Sequence, residues 1–106
     1  IHQVGESNLK IIKETGNAIL LNNKYKSRYK PYGHFNFLEE RMSAGVANLV
    51  ISRAGSTIFE IAAWGIPSIL IPITNTNLDH QKKNAFNYAR SGACSVVEEM
   101  NMTANI

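Results

Sequence analysis

Short apolar runs alternate along the chain with segments of helical period. Ile1-His2-Gln3 reads as the stub of a strand. Ser7 stands where it can cap a helix with Leu9, Ile12 and Ile19 on one face, and Gly16 leaves the length of that helix open. Residues 29–34 predict a strand, weakened by Pro31. Residues 38–45 predict a short helix with Leu38 and Met42 at i, i+4. In the second half, Leu49-Val50-Ile51 is a continuous apolar run, as in a parallel strand covered on both faces. Residues 56–64 predict a helix with Ile58, Ile61, Ala62 and Trp64 inward, stopped by Gly65 and Pro67. Residues 68–71 form a second buried strand ended by Pro72. Residues 79–90 form a helix capped by Asp79 and closed by Ser91-Gly92, and residues 94–97 a further strand. Strands alternating with helices predict βαβ units, hence an α/β class with a parallel sheet and right-handed crossovers.

Composition narrows the classes. The chain has 106 residues, 44% of them hydrophobic and 18% charged, which suits one domain or part of a larger one. No apolar stretch approaches the ~20 residues that span a bilayer, and no signal-peptide h-region follows Ile1. The start at Ile1 and the stop at Ile106, just after an expected helix cap at Thr103, read as a segment of a longer polypeptide. The same Thr103 completes the triplet Asn101-Met102-Thr103, and the cap is the preferred reading over a glycosylation sequon. The single cysteine, Cys94, lies beside Ala93, Val96 and Val97, which predicts a buried structural thiol in a reducing compartment. A transmembrane protein, a disulfide scaffold and a low-complexity chain are excluded.

A net charge of +3 favours anionic partners only weakly. Much of the excess lies in Lys24-Tyr25-Lys26-Ser27-Arg28-Tyr29-Lys30. Basic residues interleaved with tyrosines can meet phosphates, a membrane surface or nucleic acid. No nucleic-acid-binding motif accompanies them, and a solvated connection with packed tyrosines is the preferred reading.

Two polar loops follow predicted strands, where ligands of open parallel sheets bind. The first is Ser52-Arg53-Ala54-Gly55-Ser56-Thr57. Gly55 permits a sharp turn and close backbone approach. The helix start behind it offers unpaired N–H groups and partial positive charge, suited to a diphosphate. Arg53 adds a guanidinium that seeks a carboxylate or a phosphate, and Glu60, one turn on, can accept bonds from a ribose diol. Ser56 or Thr57 also suits an ordinary helix cap. The second loop, Pro72-Ile73-Thr74-Asn75-Thr76-Asn77-Leu78, leads into Asp79-His80-Gln81-Lys82-Lys83-Asn84. His80 and Asn84 share a helix face, as do Gln81 and Asn84. Amides and an imidazole suit sugar hydroxyls, which both donate and accept. His2, His34 and His80 lack metal-ligand spacing, and no metal is expected.

These residues carry a resemblance. Ala47-Asn48-Leu49-Val50-Ile51-Ser52-Arg53-Ala54-Gly55-Ser56-Thr57-Ile58-Phe59-Glu60 resembles the donor-binding motif of the MurG-type UDP-N-acetylglucosamine transferases. Gly65-Ile66-Pro67-Ser68-Ile69-Leu70-Ile71-Pro72, Asp79-His80-Gln81 with Asn84-Ala85, and Gly92-Ala93 continue the likeness in the family's order. Ile1-His2-Gln3-Val4-Gly5 resembles an earlier segment of the same domain. Residues 47–93 carry specific motifs, and residues 6–46 match loosely.

The resemblance implies a single partial domain over residues 1–106: part of the Rossmann-like C-terminal domain of a GT-B glycosyltransferase. Gly55, Ser56 and Thr57 would then meet the donor's diphosphate and sugar, with Arg53 beside them. Glu60 would hold the ribose, and Gln81 and Asn84 would read N-acetylglucosamine with His80 close by. Phe35 or Phe37 would approach the uracil. The implied reaction is inverting transfer of the sugar from UDP-N-acetylglucosamine to a lipid-linked peptidoglycan precursor, without a cofactor. The implied place is the cytoplasmic face of the plasma membrane, held peripherally, with no nucleic-acid partner. The acceptor domain and the catalytic base would lie outside this segment, leaving the segment alone inactive. The turn between Gly55 and Thr57 is one small residue shorter than the family's usual pattern. Two rival readings are the catalytic subunit of a two-subunit dolichol-linked N-acetylglucosamine transferase and a non-enzymatic basic binding module.

Overall fold

A computed structural model describes residues 1–73 and 80–103. The chain divides into two compact units, Ile1–Gly45 and Val46–Ile106. Both contain only parallel strand pairs among the described residues, so the α/β class expected from the alternating pattern is borne out.

In the first unit, strand β1 (His2–Gln3) pairs with β2 (Pro31–Tyr32), His2 opposite Pro31 and Gln3 opposite Tyr32. Helix α1 (Leu9–Ile19) connects them. It starts one residue later than Ser7 suggests, because residues Glu6–Asn8 form a 3-10 turn. Asn8 takes the cap position but donates its amide to the Val4 carbonyl at 3.0 Å instead of bonding the helix. Gly16 does not break α1. A Cβ there would meet the Tyr29 ring at 2.7 Å, so the missing side chain makes room for that ring. Tyr29 in turn bonds His2 Nδ1 through its hydroxyl at 2.8 Å. The strand expected over residues 29–34 is only two residues long, since Lys26–Arg28 wind into a 3-10 turn before it. Helix α2 (Phe37–Val46) opens with a reciprocal cap. The Glu39 N–H donates to Asn36 Oδ1 at 2.9 Å, and the Asn36 N–H donates to Glu39 Oε2 at 2.8 Å. Two otherwise orphaned donors are thereby satisfied. Ile19, Leu38 and Met42 are exposed, contrary to an inward face for Ile19.

The second unit is a three-stranded sheet in the order β3 (Val50–Ser52), β4 (Ser68–Leu70), β5 (Cys94–Val96). Helix α3 (Thr57–Trp64) crosses from β3 to β4, and α4 (His80–Ala89) runs back toward β5. Ala54, Ile58, Ile61, Leu70 and Ala85 form the core, with Val50, Trp64, Tyr88, Cys94 and Val96 packed against it. Central β4 is the most buried strand. Edge strand β3 is covered on one face only: Val50 packs inward while Ile51 is exposed, because successive side chains alternate faces. The continuous apolar run 49–51 therefore does not mark two covered faces. Ala62 is exposed as well, and the inward stripe of α3 is Ile58, Ile61 and Trp64. Gly65 ends α3 as expected, in the left-handed region at φ 67°, where a side chain would be strained. The helix expected after Thr103 falls on residues 104–106, outside the described residues.

Candidate functional site

The carboxyl ends of β3, β4 and β5 lie at one edge of the second sheet, because the three strands are parallel neighbours. The segments leaving that edge are 53–56, 71–73 and 97–99. Backbone bonds extend the ladder to the rim: the Ile71 N–H donates to the Ser52 carbonyl at 2.8 Å, and the Val97 N–H to the Leu70 carbonyl at 2.9 Å.

The turn after β3 is anchored by Ala54, which is fully buried. Gly55 follows with a negative φ, since the positive-φ glycines are Gly5, Gly65 and Gly92. A Cβ at Gly55 would find its nearest neighbour, Gln81 Nε2, at 3.9 Å, an ordinary contact. The sharp turn expected of Gly55 therefore needs no glycine. What its hydrogen leaves open is the space above the backbone. The Gly55 carbonyl accepts from the Ile58 N–H at 3.2 Å, and the Ser56 carbonyl from the Phe59 N–H at 3.1 Å. Ser56 occupies the cap position of α3, yet its hydroxyl makes no cap bond. Ordinary capping thus does not account for Ser56. Glu60 sits in the first turn of α3, exposed, and no described side chain pairs with it.

Gln81, in the first turn of α4, is half-buried. Its Oε1 accepts from the Ile73 N–H at 3.1 Å, while Nε2 faces Gly55. One side chain therefore joins the turn after β3 to the segment after β4. His80 and Asn84 are exposed on the same helix. Residues 74–78, most of the second polar loop, and the expected cap Asp79 lie outside the described residues.

Arg53 is engaged in a way the sequence did not reveal. Its Nη2 donates to Glu99 Oε1 at 2.7 Å, and its Nη1 reaches the Ile71 carbonyl at 3.5 Å. Beside it, Lys82 Nζ pairs with Glu98 Oε1 at 3.0 Å. The acid pair directly after Val97 thus braces both the β3 turn and the start of α4. The signal available was that pair at a strand end, within reach of Arg53 only once the strands are known to be parallel.

Phe35 and Phe37 belong to the first unit. The Phe35 ring lies 5.3 Å from that of Tyr32 at a tilt of 50°. Phe37 is the first residue of α2 and lies under the Arg41 guanidinium at 5.4 Å. Cys94 is partly buried; burial pushes its thiol pKa up, which fits a structural residue and not a nucleophile. The described residues hold no cluster of His, Cys, Asp and Glu able to bind a metal.

Residues 1–106 match the family described as Glycosyltransferase family 28 C-terminal domain. The chain belongs to this family. Similar curated proteins are named UDP-N-acetylglucosamine--N-acetylmuramyl-(pentapeptide) pyrophosphoryl-undecaprenol N-acetylglucosamine transferase. The one from Exiguobacterium sp. is 51% identical over 57 residues, covering 53% of this chain and 16% of the relative. The one from Natranaerobius thermophilus is 41% identical over 80 residues, covering 74% of this chain and 21% of the relative. The chain therefore spans a small part of the length of these relatives. The crystal structure of Acinetobacter baumannii MurG superposes with a TM-score of 0.72 at 24% identity, covering 96% of this chain and 28% of that one. That likeness bears out the expected fold. The family assignment bears out the family resemblance of the sequence.

Proposed function

We propose that this family 28 domain is the donor-binding portion of an inverting glycosyltransferase that uses UDP-N-acetylglucosamine. The observation that carries the reading is the bridge from Gln81 to Ile73 beside Gly55. It brings the turn after β3, Ile73 and the start of α4 together, next to an uncapped Ser56 hydroxyl and a Glu60 with no partner among the described residues. Gly55 and the first turn of α3 offer backbone donors and partial positive charge to the diphosphate. Ser56 and Thr57 add hydroxyls, and Glu60 accepts from the ribose diol. Gln81 Nε2, His80 and Asn84 read the sugar.

In the reaction, an acceptor hydroxyl oxygen forms a bond to the anomeric carbon as the bond to the UDP oxygen breaks, with inversion. Donors at the α3 start stabilise the negative charge that grows on the departing diphosphate, an effect strongest in the transition state. No residue of this chain is assigned as the base that takes the acceptor proton. The names of the relatives support an undecaprenol-linked acceptor over a dolichol-linked one. An undecaprenol-linked acceptor is anchored in a membrane, and the reading includes action at the inner face of the plasma membrane. No helix among the described residues is long and apolar enough to cross a membrane.

Calorimetric titration with UDP-N-acetylglucosamine tests the assignment. Glu60→Ala is expected to weaken binding at least about tenfold, in line with loss of a charge-assisted bond pair. Lys26→Glu/Arg28→Glu is expected to leave it unchanged. The reverse pattern would mean that the basic segment, and not the β3 turn, holds the ligand.

A further inference from the structure

We infer that Glu98 is a positioning residue for sugar recognition. Through its ion pair with Lys82 it holds Gln81 in place, and so governs affinity for the sugar of the donor while leaving affinity for the diphosphate almost untouched. The choice of ligand rests on the proposed function; the bond from Gln81 to Ile73 does not.

The chain of contacts is short. Strand β5 continues its ladder one residue past Val96, where the Val97 N–H donates to the Leu70 carbonyl at 2.9 Å. Glu98 therefore leaves a backbone anchored to the central strand, in extended conformation at φ −71° and ψ 137°. Its Oε1 meets Lys82 Nζ at 3.0 Å, with the Glu98 side chain 24% exposed and that of Lys82 49%. Lys82 stands in the first turn of α4, directly after Gln81. Gln81 Oε1 accepts from the Ile73 N–H at 3.1 Å. That bond fixes which way the amide is turned and leaves Nε2, which faces Gly55, to donate to a ligand.

The first turn of a helix is where unwinding begins, because its N–H groups have no intrahelical partners. In this turn His80 and Lys83 have no ion pair among the described residues. Buried apolar anchoring of α4 begins only at Ala85, one turn on. The tie from Lys82 to Glu98 is thus what holds the Gln81 backbone against the sheet.

Glu98 and Glu99 are consecutive, yet they brace different segments. Glu99 holds Arg53, in the turn offered to the diphosphate, and Glu98 holds Lys82, at the helix start offered to the sugar. A hydroxyl is read by a donor at a fixed point, so a small displacement of Nε2 costs affinity. The diphosphate depends on backbone donors at the start of α3, to which no bond from Glu98 runs among the described residues.

Two measurements test this. Amide exchange, followed by NMR on the ligand-free protein, reads the bond from Ile73 to Gln81. Glu98→Ala and Lys82→Met are each expected to speed exchange at Ile73 about three- to fivefold, as for loss of a half-exposed pair, with Val97 unchanged. Calorimetric titration reads the consequence. Each variant is expected to lose about three- to fivefold in affinity for UDP-N-acetylglucosamine and less than about twofold for UDP. Glu98→Ala/Lys82→Met is expected to lose no more than either single variant, because both remove one interaction. Lys82→Arg keeps the charge and is expected to stay within about twofold of the parent. Circular dichroism verifies folding of each variant. Equal losses for the two ligands, an unchanged Ile73 amide, or additive losses in the double variant would overturn the inference. If the parent binds both ligands and Ile73 does not respond, only the role of Glu98 falls. If Ile73 responds but the parent binds neither ligand, the donor reading falls and the sugar role with it.

Discussion

The Arg53 guanidinium lies 2.7 Å from the Glu99 carboxylate and also reaches the Ile71 carbonyl at 3.5 Å. Arg53 follows β3, Ile71 follows β4 and Glu99 lies beyond β5, so one side chain ties together the segments that leave three neighbouring strands. The pair is half-exposed, and such pairs contribute about 0–1 kcal/mol to stability. Its consequence is positional: it fixes where the β3 turn presents Gly55 and Ser56.

Arg53 and Glu99 should therefore differ in their effect on ligand binding. Arg53→Ala removes both the brace and a cation beside the proposed diphosphate site, and it is expected to weaken UDP binding at least about tenfold. Glu99→Gln keeps a hydrogen-bond acceptor for Arg53 and is expected to weaken it no more than about threefold. Calorimetry of the two variants decides. A larger loss for Glu99→Gln than for Arg53→Ala would make the brace, not the cation, the essential part.

Gly55→Ala offers a clean separation of fold from binding. Its φ is negative and a Cβ would meet nothing closer than 3.9 Å, so the melting temperature should stay within a few degrees of the parent. A methyl group standing over the turn would nevertheless fill the space where a phosphate approaches the backbone. UDP affinity is expected to drop at least about tenfold. Undiminished affinity would move the phosphate away from this turn.

Ser68 begins central strand β4 and is 3% exposed, and its hydroxyl has no hydrogen-bond partner among the described residues. Burying an unpaired hydroxyl costs free energy that alanine does not. Ser68→Ala is expected to raise stability by about 1 kcal/mol in urea unfolding. A destabilised variant would contradict an unpaired hydroxyl at this position.

Cys94 gives a pH dependence of definite sign. Burial pushes its pKa above the ordinary thiol value. Below that value the thiol is protonated in both folded and unfolded chains and adds no slope. As the pH rises through the ordinary thiol range the unfolded chain ionises first, and folding free energy falls until the folded thiol ionises too. Between pH 7 and about pH 10 the parent should lose more stability than Cys94→Ala does. Equal losses in the two proteins would show that Cys94 does not contribute.

Much of the second unit was legible in the sequence because its signals are local. Gly65 and the apolar runs 49–51 and 69–71 announce a helix end and two strands by composition alone. The dense motif from Arg53 to Glu60 adds a resemblance. Other features depend on what comes near in space. Neither Ile51 nor Ala62 can be known as exposed from a local pattern, because the covered face depends on which strand is at the sheet edge. Tyr29 over Gly16 and Arg53 against Glu99 join residues 13 and 46 positions apart. No spacing rule links them until the helix and strands are placed. Ser56 shows the converse: a residue type that ordinarily caps a helix stands in the cap position and makes no cap bond.

In the proposed function the β3 turn and the start of α4 form one nucleotide-sugar site. Titrating UDP-N-acetylglucosamine into isotope-labelled protein, while following the backbone amides by NMR, tests it most directly. Shifts are expected at Gly55, Ser56, Thr57, Glu60, Gln81 and Asn84 that saturate together, with residues 24–30 unmoved. An unchanged spectrum at millimolar ligand, or shifts confined to residues 24–30, would contradict it.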